Sequence, residues 1–142
     1  MKNKIFLADL THTGNGIIAL TFPLGTAYVA SYAQSQLGDQ FDFRLFKFPD
    51  HLSKAIEEER PSVLALSNYS WNIELSYALS SWAKEACPGL VVVFGGPNFP
   101  IAPDEKSAFL HQRANVDFYI QNEGELGFEA LLRKLDEYQF DV

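Results

Sequence analysis

A chain of 142 residues that is 47% hydrophobic and 20% charged is one domain by size, and it can bury a core without a disulfide or a structural metal. Its formal net charge of -7, with only 11 Lys and Arg spread along the chain, excludes a nucleic-acid partner, which needs a basic face. The single cysteine, Cys87, excludes an internal disulfide, a Cys-rich zinc site and an iron-sulfur cluster held by this chain alone.

Met1-Lys2-Asn3-Lys4 has neither a secretory apolar region nor a cleavage site, and no apolar run approaches membrane-spanning length. The expected setting is the cytoplasm, with no membrane partner. Ile5-Phe6-Leu7-Ala8 predicts a first strand closing at Asp9. A polar loop, Thr11-His12-Thr13-Gly14-Asn15-Gly16, and a less regular apolar piece follow. Pro23 then opens a helix to about Leu37, its apolar positions Leu24, Ala27, Tyr28 and Ala30 to Tyr32 having helical spacing, and Gly38 stops it.

Phe41 to Phe48 alternates with period two, which predicts a strand with one wetter face near a sheet edge. Asp50 caps a helix reaching Arg60, and Pro61 ends it. Val63-Leu64-Ala65-Leu66 predicts a wholly apolar central strand that stops at Ser67-Asn68, and Asn72 starts a long helix to Ala86. Cys87, late in this helix and before Pro88, reads as a small buried residue rather than a reactive thiol. Leu90 to Phe94 is a second buried strand, ending in Gly95-Gly96-Pro97. A helix from about Pro103 to His111, a strand at Val116 to Ile120 and a helix from about Gly124 to Tyr138 complete five strand-helix units. Such alternation predicts an α/β domain over residues 1–142 with a five-stranded parallel sheet.

Ligands of open parallel sheets bind at the carboxyl ends of the strands, which directs attention to four loops. Gly95-Gly96 permits close approach of something large, or simply makes a tight turn. Ser67-Asn68-Tyr69 places a hydroxyl and an amide at the cleft, or caps the next helix. Asn122-Glu123-Gly124-Glu125 turns into a helix whose N-terminal amides attract acceptor groups, although the acidic pair also complements the helix dipole. His12, with Asp9 behind it, is a candidate metal ligand or a solvated loop residue. His51 and His111 fall on helix faces, and neither a Ser-His-Asp triad nor a Lys-containing phosphate loop is present.

In order, Phe22-Pro23-Leu24-Gly25-Thr26-Ala27-Tyr28-Val29-Ala30, Leu66-Ser67, Gly95-Gly96-Pro97, and Gln121-Asn122-Glu123-Gly124-Glu125 with Phe128-Glu129-Ala130-Leu131-Leu132 resemble the N-terminal cobalamin (B12)-binding domain of B12-dependent radical SAM proteins. The resemblance covers most of the chain. It implies a Rossmann-like, flavodoxin-like three-layer sandwich with the corrin ring across the strand ends and the nucleotide tail in the sheet's crevice. By position, Ser67 would contact the tail, Gly95 and Gly96 would leave it space, and Glu123 and Gly124 would line the same edge. The candidate cofactor-binding residues are Thr11, His12, Thr13, Gly14, Ser67, Asn68, Tyr69, Gly95, Gly96, Pro97, Glu123 and Gly124. In such proteins a C-terminal radical SAM barrel binds S-adenosylmethionine and a 4Fe-4S cluster, so the resemblance implies that the chain is a fragment of a longer protein, inactive by itself.

Cobalamin domains of the methionine synthase and mutase kind present Asp-x-His-x-x-Gly, whose histidine becomes the lower cobalt ligand. Asp9-Leu10-Thr11-His12-Thr13-Gly14 has the same residue types at another spacing, which radical SAM relatives commonly tolerate by lacking that histidine. The alternative is a flavodoxin-like electron-transfer domain, with Thr11 to Gly16 cradling the FMN phosphate. A response-regulator receiver fits less well, because its central strand ends in Asp where this chain has Ser67-Asn68.

Overall fold

The computed structural model describes residues 2–14 and 21–141. Asn15, Gly16 and most of the apolar piece after them lie outside the described residues. Strand β1 (Asn3–Ala8) leads to helix α1 (Leu24–Leu37), a 3-10 turn (Gly38–Gln40) and β2 (Phe41–Phe46). Then come α2 (Pro49–Glu59), β3 (Val63–Ser67), α3 (Ile73–Ala86), β4 (Val91–Gly95), α4 (Pro103–His111), β5 (Phe118–Ile120) and α5 (Gly124–Glu137).

All four strand pairings are parallel, in the order β2-β1-β3-β4-β5. β3 and β4 are central, and their runs Val63–Leu66 and Val91–Phe94 are apolar on both faces because both are covered. Alternation sends Ile5, Leu7, Val63, Ala65, Val91 and Val93 to one face, where they pack with Ala30, Ala33 and Leu37 of α1 and Phe128, Leu132 and Leu135 of α5. The other face carries Phe6, Leu64, Leu66, Val92 and Phe94 against Leu52, Ala55 and Ile56 of α2 and Ala83 of α3. The result is the expected three-layer sandwich. Cys87 is buried beneath α3, its Sγ 3.7 Å from the Ile56 carbonyl oxygen.

Several boundaries differ from the sequence reading. β2 ends at Phe46 rather than Phe48, because Pro49 is the first residue of α2 and the chain must turn before it. Asp50 lies in the first turn of α2 and is not its cap. β4 begins at Val91 rather than Leu90, and β5 begins at Phe118 because Val116 N–H bonds back to the Arg113 carbonyl in a turn. α1 keeps its expected limits, with Pro23 at the N-cap and Gly38, at φ 59°, donating its N–H to the Gln34 carbonyl. Among the described residues no helix is long and apolar enough to cross a membrane.

Candidate functional site

A groove of about 230 Å³ opens at the carboxyl end of the sheet, on the face covered by α1 and α5. Its floor follows from register. Leu7 pairs with Ala65 and Ala65 with Val93, and one step nearer the strand ends Ser67 pairs with Gly95 and Gly95 with Ile120. Ala65 is the small member of the inner row, between Leu7 and Val93, and Ser67 and Gly95 are the small members of the outer row beside Ile120, so the sheet surface is sunken at these three positions between the two helices. The walls are the first turns of those helices: Gly25, Thr26 and Val29 from α1, and Gly124, Glu125 and Phe128 from α5. Neither helix has a side-chain cap; Leu24 N–H donates to the Phe22 carbonyl, which leaves the Gly25 and Thr26 amides of α1 and the first-turn amides of α5 near the groove.

Beside the groove, at the point where β1 has β2 on one side and β3 on the other, Asp9 collects four elements. Its Oδ1 accepts from Ser67 Oγ at 2.7 Å and lies 3.5 Å from Asn72 Nδ2, while Oδ2 pairs with Lys47 Nζ at 3.2 Å. Asn72 Nδ2 also donates to the Leu10 carbonyl at 3.2 Å. Ser67 thus faces the groove with its proton already committed to Asp9, and its remaining capacity toward a ligand is as an acceptor. Asp9 does not stand behind His12, contrary to the sequence expectation. His12 instead donates through Nε2 to the Trp71 carbonyl at 2.9 Å, which ties the first loop to the loop after β3.

Asn68 corrects a second expectation. It is fully buried and does not enter the cleft. Its Nδ2 donates to the Asn98 carbonyl at 2.6 Å and to Tyr119 Oη at 3.1 Å, and its Oδ1 accepts from Asn98 Nδ2 at 3.2 Å. Tyr119 Oη in turn donates to the Gly96 carbonyl at 2.8 Å, and its ring stacks on Phe99 at 3.8 Å. Burial pushes the Tyr119 phenol above its ordinary value, with the hydrogen bond from Asn68 acting against this, so the phenol keeps its proton and its bond to Gly96. The loops after β3 and β4 are therefore stapled together. Neither Ser67 nor Asn68 caps α3; Asn72 occupies that position and its Oδ1 accepts from Tyr69 N–H at 2.9 Å.

Of the residues singled out in the sequence, Ser67, Tyr69, Gly95, Gly96 and Gly124 line the groove. Thr11, His12, Thr13, Gly14, Asn68, Pro97 and Glu123 do not: Thr11 and Asn68 are buried, and His12, Thr13, Gly14, Pro97 and Glu123 are exposed around it. Sequence reasoning did not single out Leu7, Ala65, Val93 or Ile120 as lining residues, and it named Asn122, Glu125 and Phe128 only within motifs, not among the cofactor-binding candidates. Asn122, at φ 61°, makes the sharp turn from β5 into α5 that brings Glu125 to the wall. Phe22, Leu24, Trp71, Ile101 and Leu126 are each more than half exposed, and all lie on loops after strands or in first helical turns, at the carboxyl end of the sheet. Trp71 stacks on Tyr69 with ring centroids 4.5 Å apart. Among the described residues no group of three His, Cys, Asp or Glu converges as a metal site.

The sequence matches the B12 binding domain family over residues 19–132. It is 33% identical over 125 residues to 2-(S-pantetheinyl)-carbapenam-3-carboxylate methyltransferase of Streptantibioticus cattleyicolor, covering 82% of this chain and 18% of that protein. It is 32% identical over 117 residues to the cobalamin-dependent radical SAM methyltransferase TokK of Streptomyces tokunonensis, covering 78% of this chain and 16% of that protein. The fold superimposes with a TM-score of 0.70 and 16% identity on the cobalamin-dependent S-adenosylmethionine radical enzyme OxsB, over 96% of this chain and 19% of that one. The chain thus spans less than a fifth of the length of the curated relatives it matches.

Proposed function

The chain belongs to the B12-binding domain family, and on that premise we propose that the groove between α1 and α5 receives the nucleotide tail of cobalamin while the corrin ring lies on the apolar rim above it. The observation that carries this reading is the sunken floor at Ala65, Ser67 and Gly95. At about 230 Å³ the groove is smaller than the ~300–1,000 Å³ of pockets that enclose a whole drug-sized ligand, so it suits a flat appendage and leaves the macrocycle outside. Phe22, Leu24, Trp71, Ile101 and Leu126 are exposed on the loops and helix starts at this end of the sheet, where a corrin ring would cover apolar surface. The uncapped first turns of α1 and α5 offer amides to the phosphodiester of the tail.

Bound cobalamin supplies a cobalt centre that carries a methyl group or exchanges electrons. The chain's own residues position it. Ser67 and Gly95 hold the tail's depth, Tyr69 and Asn122 border the mouth, and the Asn68-Asn98-Tyr119 staple fixes the loop that bears Gly96. His12 is not assigned to cobalt, since its Nε2 is taken by Trp71. The reading of Thr11 to Gly16 as an FMN phosphate cradle gains no support: Thr11 to Gly14 do not line the groove, and Asn15 and Gly16 lie outside the described residues.

By analogy with TokK, named for cobalamin-dependent radical SAM methyl transfer, the parent protein carries a radical SAM barrel with a 4Fe-4S cluster and S-adenosylmethionine, and this module presents cobalt to it. A reading of the gene beyond the codon for Val142 tests that part: a downstream Cys-x-x-x-Cys-x-x-Cys is expected, and its absence would remove the radical SAM partner. A cytoplasmic setting belongs to the same proposal and suits the unpaired, buried Cys87. For the binding itself, the chain is mixed with hydroxocobalamin, desalted and its visible spectrum recorded. Retention of the corrinoid chromophore is expected, and a colourless protein would refute the assignment of the groove.

A further inference from the structure

We infer that the groove selects the base at the end of the tail, accepting a methylated benzimidazole and discriminating against a purine; this rests on the reading above that the tail enters here. The inference comes from how polarity is graded along the groove. Leu7, Ala65 and Val93 form the inner row of the floor, one register step in from Ser67 and Gly95. Val29 lies one helical turn beyond Gly25 on α1, and Phe128 one turn beyond Gly124 on α5. The inner end is thus Leu7, Val29, Ala65, Val93 and Phe128, and every one of these side chains is hydrocarbon.

Among the described lining residues, the polar ones occupy the rim: Thr26 and Glu125 in first helical turns, Ser67 at a strand end, Tyr69 and Asn122 in the loops beyond. The floor's backbone offers no substitute, because β1, β3 and β4 each pair on both sides along this row. The Ser67 hydroxyl already donates its hydrogen bond to Asp9. A purine carries ring nitrogens and an exocyclic amine that must leave water and would find no partner at the inner end. The two methyl groups of dimethylbenzimidazole meet hydrocarbon there and gain by leaving water.

The test titrates the chain with hydroxocobalamin, with its adenine-based counterpart and with cobinamide, which ends before the nucleotide, following visible absorbance. Hydroxocobalamin is expected to bind roughly 10- to 100-fold more tightly than the adenine corrinoid, the range over which an apolar pocket discriminates against an added polar group. Ala65, 9% exposed, is the most open side chain of the inner row, and A65S places a hydroxyl there. That variant should narrow the ratio severalfold. Equal affinities for the two base-bearing corrinoids, both tighter than cobinamide, would overturn the selectivity and leave the tail in the groove. Cobinamide binding as tightly as cobalamin would take the tail out of the groove and overturn both readings. An unchanged ratio in A65S, with wild-type discrimination intact, would overturn the account in which floor polarity sets the preference.

Discussion

Gly96 sits at φ 120°, and a Cβ built on it would lie 2.8 Å from the Asn68 carbonyl oxygen. The close approach it permits is therefore to the protein's own backbone, where the loops after β3 and β4 cross. Its neighbour has the other role. A Cβ on Gly95 would meet only Ile120, its carbonyl oxygen at 3.7 Å and its Cβ at 3.9 Å, both ordinary contacts, but by strand alternation it would project from the same face as Val93 into the groove. Substituting each glycine by Ala should separate fold from binding. G96A is expected to lose about 1–3 kcal/mol of stability through backbone strain and the clash, read as a lower denaturation midpoint. G95A should unfold close to wild type and yet bind hydroxocobalamin roughly tenfold or more weakly, since an extra methyl in a close-fitting site costs ~1–3 kcal/mol. Equal binding by G95A and wild type would show that the ligand does not pass over Gly95. The sequence marked this pair as important, but which glycine serves the fold could not be read from two identical residues. Only the backbone angle of Gly96 and the 2.8 Å between its Cβ position and the Asn68 carbonyl oxygen show which one faces the neighbouring loop.

Helix α5 closes one side of the groove only because it lies unusually near its neighbours. A Cβ on Gly127 would stand 2.7 Å from Ile120 Cγ2, and one on Gly124 would stand 3.0 Å from Val29 Cγ2. These two glycines, three residues apart, put one bare helix face against β5 and α1. G127V should force α5 outward and destabilise the domain by about 1–3 kcal/mol, measured by thermal or denaturant unfolding; an unaltered midpoint would show that Ile120 swings aside freely. Most elements were legible from sequence for similarly local reasons: α1 lies between Pro23 and Gly38, and β3 and β4 are unbroken apolar runs. The groove's inner residues were not, because Leu7, Val29, Ala65, Val93 and Phe128 are ordinary core residues in their own elements and become neighbours only through register and helix packing. The one available signal was Ala65, the single small residue in Val63-Leu64-Ala65-Leu66.

For the molecule as a whole, the strand order 2-1-3-4-5 decides less than it first suggests, since flavodoxin and the receiver protein CheY share it. What distinguishes this chain is where the open space lies. Flavodoxin-type sites sit at the switch between β1 and β3, and here that point is occupied by Asp9, on which Lys47, Ser67 and Asn72 converge. The space has moved over β3 and β4, under α1 and α5. A ligand that binds only the folded chain stabilises it by RT ln(1 + [L]/Kd), about 2.7 kcal/mol when free ligand is 100 times Kd. In a domain of this length each kcal/mol moves the midpoint by roughly 3–4 °C, so saturating hydroxocobalamin should raise Tm by about 8–10 °C. FMN at equal concentration should leave it unchanged, because the switch point is occupied by that ion pair and its hydrogen bonds. A shift with FMN as large as with cobalamin would mean that the network at Asp9 opens easily, and that the switch point rather than the displaced groove is the binding site of this fold.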